Sequence, residues 1–243
     1  EACAKLCKSL LDEGYTPDVI CVHPGWGEAL FLRDVWPSAK QLHFVEFFYG
    51  ADGRDMNFDP EFPSVDFSGR CRLTAKNTNN LLNLQAMDAG MSPTHWQFST
   101  VPDAFQKKIS VIHDGVDTNF LSPDDSVKIS VKDVDGKLLQ ADCNTPVITF
   151  INRNLEPSRG YHSFMRSLPK IMQALPDAKV VIIGGDQVSY GKAPKNGTWK
   201  EIYRKEVHRE IDEDRVFFLG RIPYDVYTSV MRLSKCHIYL TYP

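Results

Sequence analysis

The stretch Val147-Ile-Thr-Phe-Ile-Asn-Arg-Asn-Leu-Glu-Pro-Ser-Arg-Gly160 decides the fold. Its first five residues are almost continuously apolar and β-rich, the pattern of a parallel strand covered on both faces. A polar loop with two arginines follows, and from Gly160 to Leu175 the apolar residues recur at helical spacing, with Pro169 expected to bend the helix. Strand, loop and helix in this order form the first half of a βαβ unit. In open α/β sheets ligands bind at the carboxyl ends of the strands, and a helix N-terminus there favours phosphate. Arg153 and Arg159 add permanently charged, forked donors that match phosphate oxygens. By residue type alone they could equally be solvated loop arginines.

The same alternation recurs on both sides. Strand-like runs occur at Val19–Val22, Leu42–Phe47, Ile109–Ile112, Val147–Ile151, Val180–Ile183, Val216–Leu219 and His237–Leu240. Helical stripes lie between many of them: Leu6, Cys7, Leu10 and Leu11 before Gly14; Leu30, Phe31 and Val35 before Pro37; Trp199 to Ile211; Val226 to Met231. Strands alternating with helices imply an α/β protein with doubly wound parallel sheets. The polar stretch after Leu121 divides the chain into a domain at 1–121, a linker or small exposed hairpin at 122–145 around the Asp135-Gly136 turn, and a domain at 146–243. Gln187 to Thr198 reads as a second polar loop.

Composition narrows the function classes. With 243 residues there is room for two domains of ordinary size, and a formal charge of −3 argues against a bulk nucleic-acid binder. No apolar run approaches the length of a membrane span, and the N-terminus is an amphipathic helix rather than a signal peptide. The six cysteines contain no Cys-x-x-Cys pair and read as reduced, buried thiols of a cytoplasmic protein. Asn196-Gly197-Thr198 therefore reads as a turn.

Further constellations sit at strand ends. Val22-His-Pro-Gly-Trp-Gly-Glu28 combines His23 and Trp26 with the glycines Gly25 and Gly27, offering a proton carrier, a stacking face and close backbone approach, or simply a tight turn around a packed Trp. Glu46 lies among aromatics in Leu42-His-Phe-Val-Glu-Phe-Phe-Tyr-Gly50, where burial would raise its pKa and suit it to acid or base work. Asp114-Gly115 beside His113 reads as turn chemistry. Gly184-Gly185 ends another strand and permits a ligand nearby. Neither a dinucleotide fingerprint nor a phosphate-binding Gly-x-x-x-x-Gly-Lys loop occurs, and the histidines at 95, 162, 208 and 237 lack metal-ligand spacing.

In this order, His23 to Glu28, Leu32-Arg-Asp-Val-Trp-Pro37, Phe58-Asp-Pro-Glu-Phe-Pro63, Ile112-His-Asp-Gly-Val-Asp-Thr118, Arg153 to Gly160 and His237-Ile-Tyr-Leu-Thr-Tyr-Pro243 resemble bacterial family 4 glycosyltransferases, the retaining enzymes of the GT-B architecture. The resemblance implies two Rossmann-like domains across a cleft, both incomplete here. The C-terminal one holds a nucleotide-sugar donor, and the N-terminal one mostly holds the acceptor. It assigns Arg153 and Arg159 to the donor diphosphate as catalytic residues, with Gly160 beside them, and Gly184 and Gly185, at their strand end, are read as further donor-binding positions. His23, Gly25, Trp26 and Gly27 go to the acceptor or cleft. Glu46 stands where the family commonly has a histidine and is a further catalytic candidate. The family's Glu-x7-Glu motif is expected after Pro243 and its first strand before Glu1, so the chain is expected to be a fragment.

The expected reaction is sugar transfer from a nucleotide sugar to a glycan or glycoconjugate acceptor, with retention, in polysaccharide or glycoconjugate synthesis. Neither metal nor cofactor is expected, because two arginines can stabilise the leaving diphosphate. The expected location is the cytoplasm, with peripheral contact at the inner membrane face left open. A GT-B sugar-nucleotide epimerase and a non-catalytic sugar-nucleotide-binding module are the alternatives.

Overall fold

A computed structural model describes residues 1–54, 56–62 and 66–242. Pro63 and Pro243, the last residues of two of the motif phrases, lie outside them. The chain divides into two compact units, Glu1–Gly115 and Val116–Pro243.

The first unit is built on a parallel sheet of order β1-β2-β3-β4, formed by β1 (Val19–Val22), β2 (Lys40–Phe44), β3 (Ala89–Ser92) and β4 (Ile109–Val111). Its helices are α1 (Ala2–Asp12), α2 (Leu32–Val35), α3 (Phe67–Ala86), α4 (His95–Thr100) and α5 (Asp103–Gln106), with single 3-10 turns at Pro24–Trp26 and Glu28–Phe31. The face of α1 that packs inward is Cys3, Cys7 and Leu11, set against Leu32, Val35, Trp36 and Ala39. Leu6 of the anticipated stripe is exposed. Gly14, at φ 91°, ends the helix in the left-handed region.

Arg33, inside the Leu32–Pro37 phrase, staples this unit together. Its guanidinium donates to the carbonyls of Ala39 (3.0 Å) and Ala86 (2.6 Å) and to Asp88 Oδ2 (2.7 Å). Asp88 also accepts from the Gln41 amide at 2.9 Å, and the Arg33 guanidinium holds its carboxyl well below the usual carboxylate range.

The second unit carries a parallel sheet of order β10-β7-β8-β9, made of β7 (Val147–Asn154), β8 (Lys179–Gly185), β9 (Val216–Gly220) and β10 (Ser234–Ile238). Its helices are α6 (Tyr161–Ala174), which contains Pro169, α7 (Trp199–Val207) and α8 (Tyr224–Leu233). The apolar strand run explains its position. Alternate residues of β7 pack to opposite sides: Phe150 stacks on Phe164 of α6 at 4.4 Å between ring centroids, whereas Val147 joins Val181, Phe217, Val230 and Leu233.

The hairpin of β5 (Ile129–Lys132) and β6 (Leu138–Ala141) forms as its turn residues suggest, but it is not an exposed linker. Leu139 is fully buried in the core of the second unit, and the Val134 amide donates to the Phe218 carbonyl of β9 at 2.8 Å. The alternating pattern of β5 and β6 supplies one apolar face, and that face must be covered somewhere.

The cysteines differ from their expected burial. All six cysteines are free, but none is buried: Cys21 lies on the edge strand β1, Cys236 on the edge strand β10 and Cys71 on the outer face of α3. Edge strands have one uncovered side, so an apolar run there does not imply burial. The Asn196–Thr198 tripeptide is indeed a turn, in which Thr198 caps α7 through a reciprocal capping box with Glu201.

Candidate functional site

In the second unit the residues of interest lie at the carboxyl edge of the sheet. β7 reaches Asn154, the Leu155 amide donates to the Gly185 carbonyl at 2.9 Å, and a 3-10 turn at Pro157–Arg159 leads into α6. Arg153 is exposed and makes no hydrogen bond or ion pair with the described residues. Arg159 is mostly buried: its Nε lies 3.9 Å from Glu156 Oε1, and its guanidinium sits 5.1 Å from the centre of the Tyr190 ring.

The glycines have distinct tasks. Gly160 has φ 70°, and a Cβ there would meet the Cβ and carbonyl oxygen of Leu240 at 2.4 Å. Its amide donates to the Pro157 carbonyl at 2.8 Å, so its contribution is conformational. A Cβ on Gly184 would strike the Asn152 carbonyl at 2.8 Å. Gly185 lies under Asn154 Oδ1 and the guanidinium of Arg221, a third arginine at this edge, which the sequence motifs do not reveal.

One feature is concentrated here. Asn152 Nδ2, Asn154 Oδ1, Glu156 Oε1, Ser158 Oγ and Arg159 Nε are buried and without a hydrogen-bond partner among the described residues. They are half of the ten such atoms found among those residues. Buried polar atoms are normally paired. Asn152 Nδ2 and Ser158 Oγ can donate to an anion at this ligand edge, whereas Asn154 Oδ1 and Glu156 Oε1 only accept and Arg159 Nε faces Glu156.

In the first unit, the loops after β1 and β2 meet. His23 Nδ1 accepts the Gly25 amide at 3.1 Å, which leaves the proton of the neutral ring on Nε2, 3.1 Å from Glu46 Oε2. The imidazole also stacks on Trp26 at 4.5 Å, and Trp26 is 75 % exposed. Gly27, at φ 90°, turns the chain out of this loop. Glu46 is not enclosed by its aromatic neighbours as anticipated. It lies two residues past the end of β2 with half its side chain in solvent, while Phe47 turns away to stack on Trp96. His113 repeats the His23 turn, its Nδ1 accepting the Gly115 amide at 2.9 Å, and is structural.

A row of asparagines on α3 holds both loops. Asn77 pairs with both backbone groups of Tyr49, and Asn79 and Asn83 each donate to the Pro24 carbonyl. Their spacing in Asn77-Thr-Asn-Asn-Leu-Leu-Asn83, which puts amides on a buried helix face, was the available signal.

The class these features define is an α/β protein of two parallel-sheet units, one with an anion-suited edge and one with an aromatic and acid–base edge. The sequence profile of the glycosyl transferase family 4 group matches residues 1–121, and the N-terminal unit belongs to that family. Sucrose-phosphate synthase from Thermosynechococcus elongatus superposes with a TM-score of 0.63 at 14% identity over 97% of this chain and 52% of its own. An alpha,alpha-trehalose-phosphate synthase (UDP-forming) from Burkholderia vietnamiensis gives 0.58 at 14% identity, over 99% of this chain and 56% of its own. An E. coli structure described as trehalose-6-phosphate bound with UDP-2-fluoro glucose gives 0.56 at 13% identity, over 99% and 56%. The fold is the GT-B fold, and the chain spans about half the length of these structures. No curated protein sequence matches the chain. Among the described residues no helix is long and apolar enough to cross a membrane.

Proposed function

We propose that the chain is the part of a family 4 glycosyltransferase that binds a nucleotide-sugar donor through Arg153 and Arg159 and transfers its sugar, with retention, to a glycan or glycoconjugate acceptor. The observation that carries this reading is the gathering of Arg153, Arg159 and two buried donors without a partner among the described residues, Asn152 Nδ2 and Ser158 Oγ, at the carboxyl edge of a parallel sheet. A similar fold in the E. coli structure is described with a UDP-sugar analogue bound, which supports the donor class.

The bond from the anomeric carbon to the diphosphate oxygen breaks, and its electrons go to the diphosphate. The new bond forms to an acceptor hydroxyl, whose proton passes to a base. Guanidinium groups beside the leaving diphosphate stabilise the charge that develops there, worth roughly 3–4 kcal/mol per well-placed donor. The transfer is read as metal-independent for that reason. On the first unit Glu46 is the candidate base, oriented by His23, and the Trp26 face suits the apolar side of a sugar ring. Polysaccharide or glycoconjugate synthesis in the cytoplasm, at or near the inner membrane face, is the setting this chemistry fits.

Calorimetric titration with UDP and GDP, followed by a transfer assay with the matching nucleotide sugars, tests the reading. Arg159→Ala is expected to lower turnover about 10²–10³-fold. Turnover of that variant near wild type, or a wild-type chain that binds neither nucleotide, overturns it.

A further inference from the structure

We propose that Glu156 is a positioning residue that locks Arg159 and the Ser189–Tyr190 backbone into one diphosphate-gripping unit, a role that rests on the donor reading above. Glu156 is fully buried. A carboxylate is kept in such a place only where hydrogen bonds and a countercharge meet it, and its two oxygens meet different groups. Oε2 accepts the Ser189 amide at 2.9 Å and the Tyr190 amide at 3.2 Å. Oε1 accepts no hydrogen bond from the described residues and faces Arg159 Nε at 3.9 Å, within Coulomb reach but outside hydrogen-bond length.

The anchored loop closes on the arginine from its other side. Asn154 Nδ2 donates to Ser189 Oγ at 2.6 Å, which fixes the loop a second time. The Tyr190 ring then covers the guanidinium at 5.1 Å. Arg159 is thus confined between a carboxylate and a ring, and its Nη groups, which donate to none of the described residues, form the remaining donor edge. An arginine held this way loses less freedom on binding a diphosphate than a mobile one. Anchoring the loop alone would need only one neutral acceptor oxygen. The second oxygen, aimed at Arg159, is what requires a carboxylate.

Glu156→Gln separates the two tasks. The amide oxygen still accepts the Ser189 and Tyr190 amides, whereas its NH2 group opposes Arg159 Nε–H, donor against donor. Calorimetry with UDP and UMP, and hydrogen exchange at Ser189 and Tyr190, read the result. For E156Q the expected outcome is UDP binding weakened about tenfold, UMP binding within about twofold of wild type, and unchanged exchange at both amides. E156A is expected to lose the exchange protection as well. Wild-type UDP affinity in E156Q overturns the proposal, as does an equal loss of UDP and UMP accompanied by faster exchange, which would make Glu156 an anchor only. A wild-type chain that binds neither UDP nor GDP removes the donor reading, and this role with it.

Discussion

His23 Nε2 stands 3.1 Å from Glu46 Oε2, joining the loops that follow two adjacent strands of the N-terminal sheet. Because His23 Nδ1 is occupied by the Gly25 amide, the ring has one proton to give and gives it to Glu46. The histidine is therefore an orienting group, and the half-exposed carboxylate is the group that can meet an acceptor hydroxyl. Glu46→Gln should lower the transfer rate about 10²-fold, the size of a general-base contribution, and leave UDP affinity unchanged, since donor contacts lie in the other unit. Steady-state transfer and calorimetry check this together. A variant with full activity removes Glu46 from the chemistry.

Arg153 makes no hydrogen bond or ion pair with the described residues, so its removal should leave the fold intact and act on the ligand alone. Arg153→Ala is expected to weaken UDP about three- to tenfold at low salt, as one exposed charge–phosphate contact does. The dependence of UDP affinity on ionic strength should become shallower in the variant. Titrations at two salt concentrations read both effects, and an unchanged salt dependence means Arg153 does not touch the diphosphate.

Gly160 combines a left-handed backbone with a neighbour that cannot move aside. At φ 70° a side chain costs about 1–2 kcal/mol. The new Cβ would also meet the Leu240 carbonyl at 2.4 Å, a backbone atom rather than the end of a flexible side chain. Gly160→Ala should therefore destabilise the second unit by about 3 kcal/mol, or roughly 6–12 °C in its Tm. A melting curve within 2 °C of wild type, as an order-of-magnitude threshold, would show that Leu240 gives way.

Three strands of the second sheet were legible because they are buried, so Val147–Ile151, Val180–Ile183 and Val216–Leu219 stand out as apolar runs, whereas the fourth, the exposed edge strand β10 at Ser234–Ile238, lies N-terminal to the expected His237–Leu240. β3 was not legible, because Ala89-Gly-Met-Ser92 contains no β-branched or aromatic residue. The longest helix, α3, was missed because its buried face is partly polar: Asn83 donates to the Pro24 carbonyl and Asn80 to Asn77, which holds Tyr49, so the amphipathic stripe is erased. The arginines of the second unit were visible as residue types in a loop. Glu156 was not, since a fully buried carboxylate looks like any loop glutamate until its amide partners, thirty-odd residues away in sequence, are in place.

His43 gives the N-terminal unit a pH dependence whose sign is fixed. It is wholly buried on β2 beside Gln41, and its pKa is lowered to about 4, first by burial, then by Arg33, with Lys108 adding to the shift and Asp88 opposing it. The unfolded chain binds this proton below about 6.5 while the folded chain refuses it until about 4. The stabilisation from keeping His43 neutral is therefore complete above pH 6.5 and is lost progressively as pH falls towards 4, to a total of roughly 3 kcal/mol. Urea denaturation followed by circular dichroism should show the unit about 2 kcal/mol less stable at pH 5 than at pH 7.5. His43→Gln, which keeps a polar group for Gln41 but cannot titrate, should be less stable at pH 7.5 and lose most of that difference. An equal loss between the two pH values in the variant would assign the dependence to other groups.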